Sequence, residues 1–80
     1  MIKCLILKCG ITLISEIVEI QAEIGEPNCQ LINPFQVLDD DLQVWPTITD
    51  QRSILISSES ILTIVDPKDN LNVKYKEMIK

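Results

Sequence analysis

Apolar positions along this chain come in short blocks separated by polar or turn-forming residues, and most blocks are too short for helices. Residues 2–8 (IKCLILK) are almost continuously apolar, the pattern of a strand buried on both faces. Gly10 follows at a turn or a close approach of backbones. Residues 11–20 (ITLISEIVEI) read as a second strand whose alternation is broken: Ile11 and Leu13 share one parity, Val18 and Ile20 the other. A regular strand would turn one of these sets to solvent, so the switch around Ser15 and Glu16 predicts a bulge or a sharp bend. Gly25, Glu26, Pro27 and Asn28 form a polar turn. Cys29–Leu38 is a third strand interrupted by Pro34, which lacks a donor and belongs at an edge or a bend. Asp39, Asp40 and Asp41 make a solvated turn. Residues 43–49 are only partly extended because of Pro46. Residues 54–56 and Ile61–Val65 are two short apolar strands split by Ser57, Ser58, Glu59 and Ser60.

The pattern changes at the end. Asp66 is a good helix N-cap, Pro67 suits the first helical position, and Asp69 favours the same start. Leu71, Tyr75, Met78 and Ile79 then fall at i, i+4, i+7 and i+8, one stripe of a helix. The expectation is a β body over residues 1–66, with residues 67–80 as a short helix packed on it.

Composition sharpens this picture. Fourteen isoleucines and five valines stand against one alanine, Ala22. β-Branched side chains lose χ1 freedom in helices and suit a pleated surface, so a mostly β fold is expected and a helical bundle is not. No apolar run is long enough to span a bilayer, and no leader-like segment precedes the first strand. An 80-residue domain buries only about 60% of its unfolded surface, so oligomerisation is an expected source of extra stability. Cys4, Cys9 and Cys29 are odd in number and match no zinc-site spacing. They are expected to be reduced, buried small hydrophobes in a cytoplasmic protein.

Charge and missing residue types narrow the chemistry. The net charge is −5. Residues 1–40 carry two lysines and six acids, residues 41–66 one arginine and four acids, and residues 67–80 four lysines and two acids. An acidic body disfavours unspecific duplex binding. The absence of histidine removes the imidazole base and the common metal triads. Two glycines cannot build a phosphate loop, and the acids at 39–41 lack calcium-loop spacing. No enzyme, cofactor or metal site is expected.

The order of features resembles the Sm/LSm family. The first motif of that family looks like Leu7, Gly10, Ile11, Leu13, Ser15 and Ile17, with Ser15 where the strand bends and a second glycine is usual. Its later part looks like Gln21, Pro27, Asn28 and Leu31, without the usual Asp and Met. The second motif looks like Ile56, Ser57, Ser58, Glu59, Ser60, Ile61, Leu62, Thr63 and Ile64, with Ser57 and Ser58 in place of Arg-Gly. The style of the sequence also resembles small cyanophage-type proteins, which would place it in a bacterial host cytoplasm. The family resemblance implies a strongly bent, five-stranded open barrel, here with a C-terminal helix, assembled into a homo-oligomeric ring that binds single-stranded nucleic acid, RNA more than DNA.

Two turns would then hold bases near the pore: Asn28 in one, and Ser57, Ser58 and Glu59 in the other. Asn and Ser can hydrogen-bond a base edge, whereas Glu59 would oppose RNA. Arg52, Trp45 and the lysines Lys74, Lys76 and Lys80 are further candidate contacts. The plain alternatives are a turn residue for Asn28, barrel packing for Trp45 and a solvated helix face for the lysines. Open barrels also leave unpaired strand edges. Ile54, Leu55, Ile56, Ile61, Leu62, Thr63 and Ile64 are expected at the ring interface. The competing reading is a ring-forming structural or protein-interaction module that has lost RNA binding. A membrane partner is not expected.

Overall fold

The computed structural model describes residues 2–39 and 41–79. Asp40, in the middle of the expected acidic turn, and Lys80, the last of the tail lysines, lie outside the described residues. Among the described residues six strands occur in the order β1 (Ile2–Leu7), β2 (Thr12–Glu19), β3 (Cys29–Leu38), β4 (Asp41–Val44), β5 (Ser53–Ile56) and β6 (Ile61–Val65). A 3₁₀ turn, Ser58–Ser60, joins β5 to β6, and helix α1 (Asp69–Met78) ends the chain. All pairings are antiparallel, in the order β4-β3-β2-β1-β6, with β5 also paired to β3. Among the described residues no helix is long and apolar enough to cross a membrane.

The fold is mostly β with a short C-terminal helix, as the composition predicts. The strand count exceeds the expected five because the outer neighbour of β3 is divided. β5 pairs with Cys29 to Ile32, while β4 pairs with Phe35 to Leu38. The break falls at Asn33 and Pro34. Proline cannot donate to a ladder, and Asn33 takes a left-handed φ of 54°, which asparagine tolerates. Residues 43–49, expected to be partly extended, end their strand at Val44 before the cis Trp45–Pro46 peptide.

The predicted irregularity at Ser15 is present, but the extra residue lies on the other strand. Ile14 faces Phe35 and Glu16 faces Ile32, so Ser15 alone opposes both Asn33 and Pro34. β2 keeps a regular register with β1 throughout. Val18 is simply exposed, at 39%, beyond the covered part of the sheet. The parity of β3 is what reverses. Leu31 packs in one core and Phe35 in another.

Those two cores lie on opposite faces of the sheet. Leu5, Leu7, Leu13 and Leu31 form the inner one, and residues from both ends of the strand order, Ile54 and Ile56 of β5 and Ile61 of β6, pack against it. Strands from opposite ends meet on a single cluster only when the sheet curls into an open barrel. Cys4, Ile14, Phe35 and Tyr75 form the outer core beneath α1. β1 is buried on both faces because Cys4 serves one core and Leu5 the other.

Two local expectations need correction. α1 starts at Asp69 with Lys68 in the cap position and no side-chain cap bond, so Asp66 is not the N-cap. Asp66 instead pairs with the Lys3 ammonium across the β1–β6 edge. Cys4 and Cys29 are buried as expected, whereas Cys9 is exposed in the β1–β2 turn.

Candidate nucleic-acid interface

Three of the candidate base contacts, Asn28, Ser57 and Ser58, come together at one end of the barrel. The 22–28 turn and the 57–60 turn are joined by a two-way link. Asn28 Nδ2 donates to Ser58 Oγ at 3.1 Å, and the Ser58 backbone N–H donates to Asn28 Oδ1 at 2.8 Å. Ser57 Oγ accepts from the Glu59 N–H at 3.2 Å and caps the 3₁₀ turn. Lys8 N–H donates to the Ser60 carbonyl at 2.9 Å and ties this turn to the end of β1. Gly25, at φ 91°, lets the opposite turn fold back.

The space between the turns is a hollow of about 300 Å³ lined by Ile24, Gly25, Glu26, Asn28, Ser57 and Glu59. A wider cleft of about 630 Å³ adjoins it along Glu19, Gln21, Glu23 and Asn28. Glu19, Glu23, Glu26 and Glu59 therefore crowd the surface where a base would sit. An anionic strand is repelled there, and the Asn28 amide already has partners for a donor and an acceptor. The motif's Arg-Gly would have supplied the missing cation; Ser57 and Ser58 supply structure instead.

Trp45 sits one step away. It is half-buried against the inner core and lines an apolar cavity of about 400 Å³ with Leu7, Cys9, Ile56 and Glu59. Its packing role is therefore real, and one side of it faces open space. Arg52 is not in this group. It precedes β5, at the opposite end of that strand from Ser57, and its carbonyl accepts from the Asn33 N–H at 2.7 Å. Lys74 pairs with Asp41 at 3.6 Å, and Lys76 is exposed in the last turn of the helix.

A sequence profile described as a family of unknown function, DUF6561, matches residues 1–80. The chain belongs to that family. No curated protein matches it. Within this DUF6561 chain, the residues expected at a ring interface divide by face. Ile54, Ile56 and Ile61 turn inward onto the barrel core. Leu55, Leu62 and Ile64 are 53%, 66% and 47% exposed. Thr63 is exposed and pairs with Ile6 of β1.

Burial pushes the Cys4 and Cys29 thiols above their usual pKa, with Glu19 adding to the effect at Cys29, which makes both poor nucleophiles at neutral pH. Among the described residues no group of three or more acidic or thiol ligands could hold a metal ion.

Pattern reading missed a polar side chain at the centre of the outer core. Tyr75, assigned only to an apolar stripe, is fully buried with its hydroxyl in the β2–β3 irregularity. The Asn33-Pro34 dipeptide, a turn signal inside an apparent strand, marks the place that the hydroxyl fills.

Proposed function

We propose that this chain is a non-catalytic, Sm-like subunit that assembles with copies of itself into a ring. The observation that carries the reading is the pair of open edges. Among the described residues β5 is paired only to β3 and β6 only to β1, and the two are joined by the four residues 57–60. Each thus has one backbone edge unpaired among the described residues, with Leu55, Leu62 and Ile64 exposed on them. A short unpaired edge with apolar side chains pairs readily with a neighbour. A head-to-tail contact from β5 of one copy to β6 of the next closes into a ring when its rotation permits. The surface acids and the self-satisfied Asn28–Ser58 link favour a structural or protein-interaction role for the ring.

Light scattering at low micromolar concentration tests assembly. A mass several times 9.1 kDa is expected. Leu62→Lys should shift the mass towards the monomer while leaving the β-sheet circular dichroism intact. A wild-type protein that stays at monomer mass across the concentration range defeats the proposal.

The second reading is a ring that binds single-stranded nucleic acid, RNA ahead of DNA. It is favoured by the meeting of the two turns, Asn28 and Ser58, at one end of the barrel. Fluorescence anisotropy with labelled oligo-U and oligo-A across a salt series separates the two. Saturable binding that weakens with salt supports this second role; none at low salt removes it. If the turn lines such a site, Ser57→Arg should tighten binding and steepen its salt dependence.

A further inference from the structure

We propose that the apolar cavity beside Trp45 binds a small uncharged aromatic molecule. The cavity lies where the curled sheet stays open, between the end of β1, the residues that join β5 to β6, and the segment after β4. It offers about 400 Å³, within the usual range for small-molecule sites. Leu7, Ile56 and Trp45, all packed with the inner core, make its apolar wall. The frame is tied down on both sides. The Trp45 N–H donates to the Pro34 carbonyl at 3.2 Å, and the Lys8 N–H donates to the Ser60 carbonyl at 2.9 Å. A site held in this way stands ready before its ligand arrives, so little binding energy goes into ordering it.

The polar atoms around the cavity set the class of ligand. The backbone N–H groups of Leu7, Lys8, Trp45, Glu59 and Ser60 all donate within the chain. These five donors are closed to a polar heterocycle, and a nucleobase buried there would leave most of its edge unpaired. Glu59 and Lys8 both line the cavity and are exposed, and the two ion pairs among the described residues involve neither. Their opposite charges offset each other, so neither an anion nor a cation gains a net attraction. Trp45 decides between an aromatic ring and a saturated body of the same size. Aromatic pairs gain from edge and face contacts beyond the area they bury.

Trp45 is the chain's single tryptophan, so its fluorescence reads this cavity directly. Titration of the full chain with benzyl alcohol should change that emission saturably. Cyclohexanemethanol, benzoate, benzylammonium and uridine should each bind severalfold more weakly. Neutralising one rim charge should move the preference: Glu59→Gln should tighten benzoate relative to benzyl alcohol, and Lys8→Gln should do the same for benzylammonium. Cys9→Phe adds bulk at an exposed position of the rim and should weaken benzyl alcohol severalfold with the circular dichroism unchanged. A change that stays linear in benzyl alcohol overturns the proposal, as does equal binding of cyclohexanemethanol, of either charged probe or of uridine. So does a response that Leu62→Lys abolishes, which gives the cavity to the contact between copies.

Discussion

One interruption in β3 produces two buried polar regions, and they are finished in opposite ways. On the β2 side, Ser15 faces two residues instead of one, beside the Glu16–Ile32 pair. Tyr75 fills that gap from α1. Its hydroxyl donates to the Ile32 carbonyl at 3.0 Å and accepts from the Glu16 N–H at 3.1 Å, and Ser15 Oγ stands 3.1 Å from the same carbonyl. Phe35 meets the Tyr75 ring edge-on at 5.7 Å. On the other side of β3 the same interruption leaves Arg52 with both Nη atoms unpartnered beside an open cavity. A buried polar group that is fully satisfied specifies the fold; one left incomplete costs stability. The contrast can be measured.

The largest effect should come from removing Tyr75. Tyr75→Ala empties a fully buried aromatic site and should cost about 3–5 kcal/mol in urea denaturation. A domain this small has little more than that to lose, so the variant should be largely unfolded at room temperature. Tyr75→Phe keeps the ring and removes both hydroxyl bonds, leaving the Ile32 carbonyl with Ser15 Oγ; about 1–2 kcal/mol is expected. An unchanged urea midpoint for Tyr75→Phe would mean that water satisfies the irregularity and that the hydroxyl contributes nothing.

The same hydroxyl predicts a pH dependence. Burial is the main cause that raises the Tyr75 pKa above its ordinary 10.0; the Glu16 carboxylate adds to the rise, while the bonds from the Glu16 N–H and Ser15 work against it. The folded state then holds the phenol proton after the unfolded chain has released it. The corresponding stability is complete below pH 10 and is lost as pH rises through the higher folded value. Cys4 and Cys29, also raised by burial, act in the same direction from pH 9 upward. The difference between wild type and Tyr75→Phe isolates the tyrosine. Their urea midpoints should converge above pH 10, and midpoints that stay parallel would contradict the assignment.

How much of this was legible in the sequence depends on which force decided each feature. β1, β3 and β6 follow from apolar runs bounded by turn residues, because burial decides them. The break at Ser15 was legible as a place, since the alternation fails there. Which strand carries the extra residue was not, because register belongs to a pair of strands and Asn33 and Pro34 lie eighteen or more residues away. Asp66 has every local attribute of an N-cap, yet a lysine 63 positions earlier claims it. Of the candidate site, Asn28, Ser57 and Ser58 could be grouped by resemblance to a two-turn motif. Arg52 could not be separated from them, because its place depends on the division of β3's outer neighbour.

Arg52 should behave oppositely to Tyr75. Arg52→Met keeps most of the side-chain volume and removes a guanidinium whose two buried Nη atoms have no hydrogen-bond partner. A gain of about 1 kcal/mol is expected at neutral pH, in line with buried charges replaced by apolar residues of similar size. A loss of stability in Arg52→Met would show that the guanidinium is already compensated, and the contrast between the two sides of β3 would fail.

The smallest effect belongs to the Asn28–Ser58 link, which has the bonding pattern of the Tyr75 network but lies at the exposed end of the barrel. Water can replace either partner there, so Asn28→Ala should cost only about 0.5–1 kcal/mol. Ser58→Ala removes one of the two bonds and leaves the other, from the Ser58 N–H to Asn28 Oδ1, in place. A double-mutant cycle on the two should therefore give a coupling energy below the loss in Tyr75→Phe. A coupling as large as that loss would mean that the two turns are locked as firmly as the buried irregularity. An end of the barrel locked in this way could not open its Asn28 amide to a nucleobase, whereas a weak link leaves that exchange energetically accessible.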